Sequence, residues 1–205
     1  GISYVILFPY YSKISTSLMT GEDLVDVTVK LVPKYPTLDT YKIILNETDF
    51  FAALKNTALL SLFCGVIQMI VCSLVGYGFS KFKFRGKNIL FMCVILTLVI
   101  PHKTLQSTMK LFFQDFNIWG LIDFGNMINP SYHVPMALMS LGGIGYRNGL
   151  YIFMMRQFYK GVPDELEEAA YVDGAGVMKT FWKIIVPMSV PMMVTVFIFS
   201  FSWQW

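Results

Sequence analysis

Charge is what this chain has least of. Only 14% of its 205 residues are charged, against 55% hydrophobic and 16% aromatic, whereas a soluble domain carries about 25% charged residues. That balance excludes an ordinary water-soluble domain and points to a membrane. The net charge of +3 is too small to imply a polyanion partner, and its uneven placement bears on membrane orientation instead. Cysteine is also sparse. Cys64, Cys72 and Cys93 all lie in apolar sequence, where they act as small hydrophobes, and no pair has the spacing of a metal finger or a disulfide framework. His102 and His133 stand alone, without a carboxylate or cysteine at ligand spacing, which argues against a metal centre. No phosphate loop is present, since Gly86-Lys87 is followed by Asn88 and position 81 is Lys81 where the pattern requires glycine. A Gly-x-Ser-x-Gly elbow, a zinc-protease helix and a Cys/His catalytic set are missing too, so an enzyme reading has nothing to rest on.

What is present is a succession of charge-free runs. The apolar run Gly1 to Tyr11 is too short to span a bilayer and reads as the outer end of a first helix. Residues 12–50 hold Pro33, Pro36 and ten charged residues with no sustained period, the pattern of an external aqueous loop. From Asn56 to Ser80 there are 25 residues without a charge, a helix of about 37 Å that suffices for a second span. Lys81, Lys83, Arg85 and Lys87 follow with no acid among them, which marks the cytoplasmic side, and the interleaved Phe82 and Phe84 read as interfacial anchors. Asn88 to His102 is expected as a third span, with Pro101 near its far end and Lys103 snorkelling or lining a polar cavity. An outer connection over 106–132 should carry a partly amphipathic piece from Met109 to Trp119. Val134 to Tyr159 is expected as a fourth span. Its Gly142, Gly143 and Gly145 allow either close helix contact or a local break. Arg147 falls either within the membrane zone, where an ionisable group signals function, or at the outer interface. Ile184 to Trp205 is uncharged for 22 residues and makes a fifth. The fold class expected is therefore all-α, a polytopic bundle of about five spans forming one domain over 1–205.

One polar stretch interrupts this pattern, Pro163 to Pro187, reading PDELEEAAYVDGAGVMKTFWKIIVP. Pro163 is suited to a helix's first position, and Asp164, Glu165, Glu167 and Glu168 favour the positive end of the helix dipole. Leu166, Ala169, Ala170 and Asp173 recur at three- and four-residue spacing, which predicts a small-residue stripe along one face. Gly174 and Gly176 should stop that helix, and a second helix should start at Val177. Glu168-Ala169-Ala170, Gly174, Ile184, Val186 and Pro187 stand at the spacing of the cytoplasmic EAA loop, and the stretch resembles the membrane-spanning subunits of bacterial ABC importers. Val186 replaces the usual leucine. The flanks, Met155 to Phe158 and Ala170 to Ala175, are similar to the carbohydrate-uptake branch, the maltose-transporter type.

The resemblance implies a multi-pass permease subunit in the bacterial inner membrane, with the loop at 161–186 cytoplasmic and a sixth span beyond Trp205. It implies ATP-driven alternating access with a second permease subunit, ABC ATPase subunits that hold the ATP and Mg, and an external solute-binding protein. No cofactor belongs to this chain itself. Glu165, Leu166, Glu168, Ala169, Ala170, Asp173, Gly174, Ala175, Gly176 and Pro187 would form the docking element for the ATPase. Arg147, Asn148, Ser200, Trp203 and Gln204 offer donors and a ring face for a solute path. The flanks favour a sugar, while the loop pattern alone also admits amino acids, peptides, phosphonates or metals. A membrane scaffold or sensor that docks a partner without transport stays open as well.

Overall fold

A computed structural model describes residues 1–100, 107–108, 111, 117–118, 122–123, 133–145 and 147–205. Its elements are α1 (Ile2–Ser17), α2 (Gly21–Val25), α3 (Asp39–Glu47), α4 (Phe50–Lys81), α5 (Lys87–Val99), β1 (Asn117–Ile118), β2 (Ile122–Asp123), α6 (His133–Leu141), α7 (Asn148–Lys160), α8 (Glu165–Val172), α9 (Val177–Thr180) and α10 (Val186–Gln204). A π-helical turn, Phe181–Ile185, joins α9 to α10. Among the described residues the regular structure is all helical apart from the two-residue strands, which pair antiparallel with Asn117 opposite Asp123 and Ile118 opposite Ile122. Packing divides it into two compact units, Gly1–Asn56 and Thr57–Trp205, where the sequence suggests a single domain. Pro101, His102 and Lys103 lie outside the described residues, as does most of the expected connection with its amphipathic piece.

In the first unit the stretch read as an unstructured aqueous loop is ordered by one carboxylate. Thr20 caps α2 by accepting from the amide of Asp23 at 3.2 Å. Asp23 is buried and accepts from the amides of Lys34 and Tyr35, both at 3.0 Å. Ser17 and Tyr41 share a hydroxyl bond of 2.7 Å that ties the end of α1 to α3. A buried acceptor taking two backbone donors substitutes for the secondary structure that the sequence pattern lacks.

The second unit sorts its residues by size and polarity rather than by apolarity. On α4 the buried positions are Ser61, Cys64, Gly65, Gln68, Cys72, Ser73, Gly76 and Tyr77, recurring every three or four residues. The exposed positions are large aliphatics and aromatics such as Leu59, Leu62, Phe63, Val66 and Leu74. Small and polar inside with greasy outside is the rule for helices packed in lipid, where apolar burial alone supplies no driving force. Gly76 shows the result, because a Cβ there would stand 2.7 Å from the Met155 Cβ and 3.0 Å from the Arg156 amide. Gly149 plays the same part between α7 and α5, against Val94 and Thr97. Phe50–Lys81 and the continuous run Val177–Gln204 are long and apolar enough to cross a membrane, while Lys87–Val99 is a shorter apolar helix.

The core gathers Cys72, Tyr77, Tyr151, Ile152, Met155, Tyr159, Phe181, Ile185, Met193 and Val196 from α4, α7 and the π turn with α10. Two polar ladders cross it. Ser73 donates to the Tyr159 hydroxyl at 2.5 Å, which donates to Ser189 at 3.2 Å, which donates to the Val186 carbonyl at 2.9 Å. Further along, Gln68 donates through Nε2 to Ser140 at 3.1 Å and accepts at Oε1 from Ser200. The first ladder joins α4 to α10 through α7, and in the second Gln68 of α4 bonds directly to α10 and also to α6.

The fourth expected span is not one helix. It breaks between Leu141 and Asn148, with Gly143 at φ +69° and Arg147 itself at φ +61°. Within the break Gly145 also allows close contact, since a Cβ there would overlap the Gln68 amide and stand 3.2 Å from Asn148 Nδ2. Both sequence alternatives, a close helix contact and a local break, are thus realised in this stretch.

Candidate functional site: a pinned hairpin

The acidic stretch folds as helix, turn and helix, with corrections to its sequence reading. Pro163 lies outside the helix, and Asp164 is the N-cap. Asp173 closes α8, and Gly174 follows in the left-handed conformation at φ +76°. The amide of Gly174 bonds to the Tyr171 carbonyl at 3.0 Å and that of Ala175 to Ala170 at 2.9 Å, the paired bonds of a Schellman stop. Gly176 is extended rather than left-handed, at φ −76° and ψ 164°, and caps α9. It starts the next helix instead of stopping the previous one.

The buried face of α8 is also not the expected stripe. Glu167 and Ala170 point inward, while Leu166, Ala169 and Asp173 are exposed. Ala170, only 6% exposed, therefore serves the hairpin's own packing. Glu165, Glu168, Gly174 and Gly176 are on the surface, Ala175 is half-buried, and Pro187 is exposed at the start of α10.

Glu167 is the residue that sequence reasoning missed. Its Oε2 accepts from the Tyr77 hydroxyl at 3.1 Å and from Tyr171 at 3.5 Å, and its Oε1 lies 3.6 Å from Lys81 Nζ. Lys81 also donates to the Val162 carbonyl at 2.6 Å and to Asp164. The Lys81 side chain is only 8% exposed, so the first member of the basic cluster is a structural clamp and not a solvated charge. Its hydrogen bond and field hold the exposed Asp164 carboxyl below the ordinary aspartate value. Lys87 is occupied as well, donating to the carbonyls of Ser80 at 3.0 Å and Phe82 at 2.8 Å and so capping α4. Lys83 and Arg85 remain exposed.

The Tyr77 ring completes the clamp, 4.8 Å from Phe181 and 5.6 Å from Tyr159 between ring centroids. One side chain of α4 thus touches α7, α8 and the π turn. That turn has a local cause. Pro187 lacks an amide hydrogen for the Lys183 carbonyl and its ring would crowd that oxygen, and one widened turn at Phe181–Ile185 relieves both faults.

Above this base the hairpin exposes apolar side chains that no part of the described chain covers. Val172 is 88% and Met178 59% exposed, and Leu166 and Val177 are also open. These lie in a charged segment at the end of a membrane bundle, where exposed aliphatics mark a contact surface. Val172, Val177 and Met178 were not legible from spacing because they fall between the motif's fixed letters.

The five solute-path candidates cluster in part. Arg147 lies with its guanidinium carbon 3.3 Å from the centroid of the Trp203 ring, so one ring face is already occupied. Ser200 is held by Gln68, and Gln204 lines a narrow crevice with Gln68, Met136, Met139, Ser140 and Gly145. Asn148 is buried, with both side-chain amide atoms unpartnered.

The described residues thus form a helical bundle that pins a short hairpin at one end and leaves its apolar tip open. Residues 68–205 match the family described as "Binding-protein-dependent transport system inner membrane component", and the chain belongs to that family. It is 29% identical to a "Probable ABC transporter permease protein" of Pyrococcus horikoshii, over 100% of this chain and 69% of the relative. It is 26% identical to the arabinooligosaccharides transport system permease protein of Bacillus subtilis, over 93% and 63%. The chain spans about two thirds of the length of the curated relatives it matches. Its fold matches the crystal structure of a bacterial ABC transporter involved in the import of the acidic polysaccharide alginate, with a TM-score of 0.75, 22% identity and coverage of 100% of this chain and 66% of that one.

Proposed function

We propose that this chain is the permease subunit of a binding-protein-dependent ABC importer in a bacterial inner membrane, moving a sugar or oligosaccharide by ATP-driven alternating access. The observation that carries the reading is the hairpin, rigid at its base through Glu167, Lys81 and Tyr77 and apolar at its exposed tip. The tip, with Glu165, Leu166, Glu168, Ala169, Asp173, Gly174, Ala175 and Gly176 around it, docks on the cytoplasmic ATPase subunit. ATP and Mg bind there, not on this chain. Nucleotide-driven closure of two ATPase subunits moves the hairpin, and the π turn and α10 pass that movement to the bundle. A second permease subunit and an external solute-binding protein complete the assembly. The oligosaccharide permeases among the relatives favour a carbohydrate.

The test is co-purification of the full-length protein expressed with the products of its neighbouring genes. An ATPase and a second permease are expected to come through with wild type. Val172→Asp is expected to lose the ATPase while the permease keeps its melting temperature. Full retention of the ATPase by Val172→Asp, or purification of wild type without any ATPase, overturns the docking role.

A further inference from the structure

The break between α6 and α7 places a cation deep in the bundle. Lys160 ends α7 beside the hairpin, and Arg147 stands 13 residues before it, about 20 Å further along the helix. Gln68 on α4 is the same distance from Lys81, and Ser200 on α10 lies about 21 Å from Val186, so three helices bring polar side chains to one depth. An ionisable group at that level is a functional site by default.

Three features show what the site lacks. Arg147 holds φ +61°, a strained conformation for a residue other than glycine that persists only where the surroundings enforce it. No carboxylate pairs with its guanidinium among the described residues, and its buried Nε has no acceptor. Next to it Asn148 is 2% exposed with Nδ2 and Oδ1 both unpartnered, and the buried Tyr151 hydroxyl is unpartnered too. Arg147 also begins a half-helix, whose positive dipole end faces the break.

Stacking on Trp203 occupies the flat face of the guanidinium and leaves the in-plane N–H fork open. That fork matches a carboxylate or phosphate in two parallel charge-assisted hydrogen bonds. Neutral sugar hydroxyls would satisfy the donors of Asn148 and Tyr151 but would leave the half-buried guanidinium, with its buried Nε, without a counter-charge.

We infer that the transported solute carries an anionic group, a carboxylate or a phosphate ester, and that Arg147 takes it at the helix break while Asn148 and Tyr151 hold neighbouring hydroxyls. This rests on the importer reading and goes beyond it in fixing the charge of the cargo.

The experiment uses the full transporter with its binding protein, reconstituted in vesicles, and three probes: a trisaccharide of hexuronic acid, the neutral trisaccharide in which each carboxyl is reduced, and glycerol 3-phosphate. The readout is the ratio of ATP-dependent uptake of each acidic probe to the neutral one. Wild type should favour one acidic probe at least tenfold, and which one identifies carboxylate or phosphate. Arg147→Gln should collapse that ratio towards one, and Arg147→Lys should retain part of it. Because the binding protein is common to all variants, a change in ratio belongs to the permease. Equal or preferred uptake of the neutral trisaccharide by wild type overturns the inference even if the variants fail to assemble, and leaves the importer reading standing. A ratio unchanged in Arg147→Gln also overturns it. Absence of ATP-dependent uptake of any probe removes the importer reading, and the inference with it.

Discussion

Glu167 carries more of the hairpin's position than its more conspicuous neighbours. It is a buried carboxylate whose cation comes from a helix 86 residues earlier in the chain, and removing one partner of such a pair costs far more than the pair contributes. Lys81→Met is therefore expected to lower the stability of the full-length protein by about 2–4 kcal/mol, with Glu167→Gln milder. The double variant should recover part of the loss, and a coupling near zero in the thermal melts of that cycle would remove the clamp. The exposed Lys81 and Asp164 contact behaves differently with pH. Because the folded-state Asp164 value is lowered, its contribution is fully present above the ordinary aspartate value of about 4 and is lost as pH falls through the lowered one. Spectroscopic titration of that carboxyl should show a midpoint below the unfolded value, abolished by Lys81→Met. At this scale the left-handed Gly174 was readable in the sequence, since glycine after an acidic helix has a local cause. The burial of Glu167 was not, because a glutamate among three other acids looks the same whether its partner is water or a distant lysine.

The turn between α8 and α9 separates backbone strain from docking. A Cβ at Gly174 would meet nothing within 4 Å, yet the residue stands at φ +76°. Within the chain Gly174→Ala should cost about 1 kcal/mol, through the backbone angle alone. Asparagine tolerates the left-handed region better than alanine but is larger. If the turn only shapes the hairpin, Gly174→Asn should retain more ATPase association than Gly174→Ala. If the turn is pressed against the partner, the order reverses, and the docking reading requires that reversal. The π turn was not read from the sequence, which put Pro187 only near the inner end of a continuous span, and a proline alone does not announce one, since Pro191 sits inside α10 without a widened turn. The break in the fourth span was legible only as one of two alternatives, because Gly142, Gly143 and Gly145 serve close packing and bending equally well. The structure uses both, a close approach of Gln68 at Gly145 and a left-handed residue at Gly143, and no local pattern reports the Gln68 contact.

Over the whole second unit, small residues set how closely the helices approach. Gly76→Ala should push α4 away from α7, because the new carbon would sit 2.7 Å from the Met155 Cβ and near backbone, and a loss of about 1–3 kcal/mol is expected. Gly65→Ala meets a Phe197 ring carbon at 3.2 Å, a side chain that can yield, and should cost less. Comparing the melting temperatures of the two variants checks this order, and equal effects would mean that the interface is looser than the distances imply. The all-helical architecture followed from charge-free runs that any reader of the chain could count. The pairing of α4 with α7 and α10 did not, since the inward faces of α4 and α10 mix serine, glycine and cysteine with apolar residues and differ little in hydrophobicity from the outward ones.

The broken helix also has a consequence for synthesis on the ribosome. Its middle carries Gly142, Gly143, Gly145, Arg147 and Asn148, and an arginine at the centre of an inserting segment costs about 2.5–3.5 kcal/mol at the translocon. The Trp203 ring that covers this arginine is translated 56 residues later. A nascent chain ending at Lys160 should therefore leave the segment His133 to Lys160 largely outside the bilayer in an insertion reporter assay. Extension through Gln204 should raise its insertion, and extension with Trp203→Ala should raise it less. The protein would then acquire its topology out of chain order, a late helix completing the placement of an earlier one.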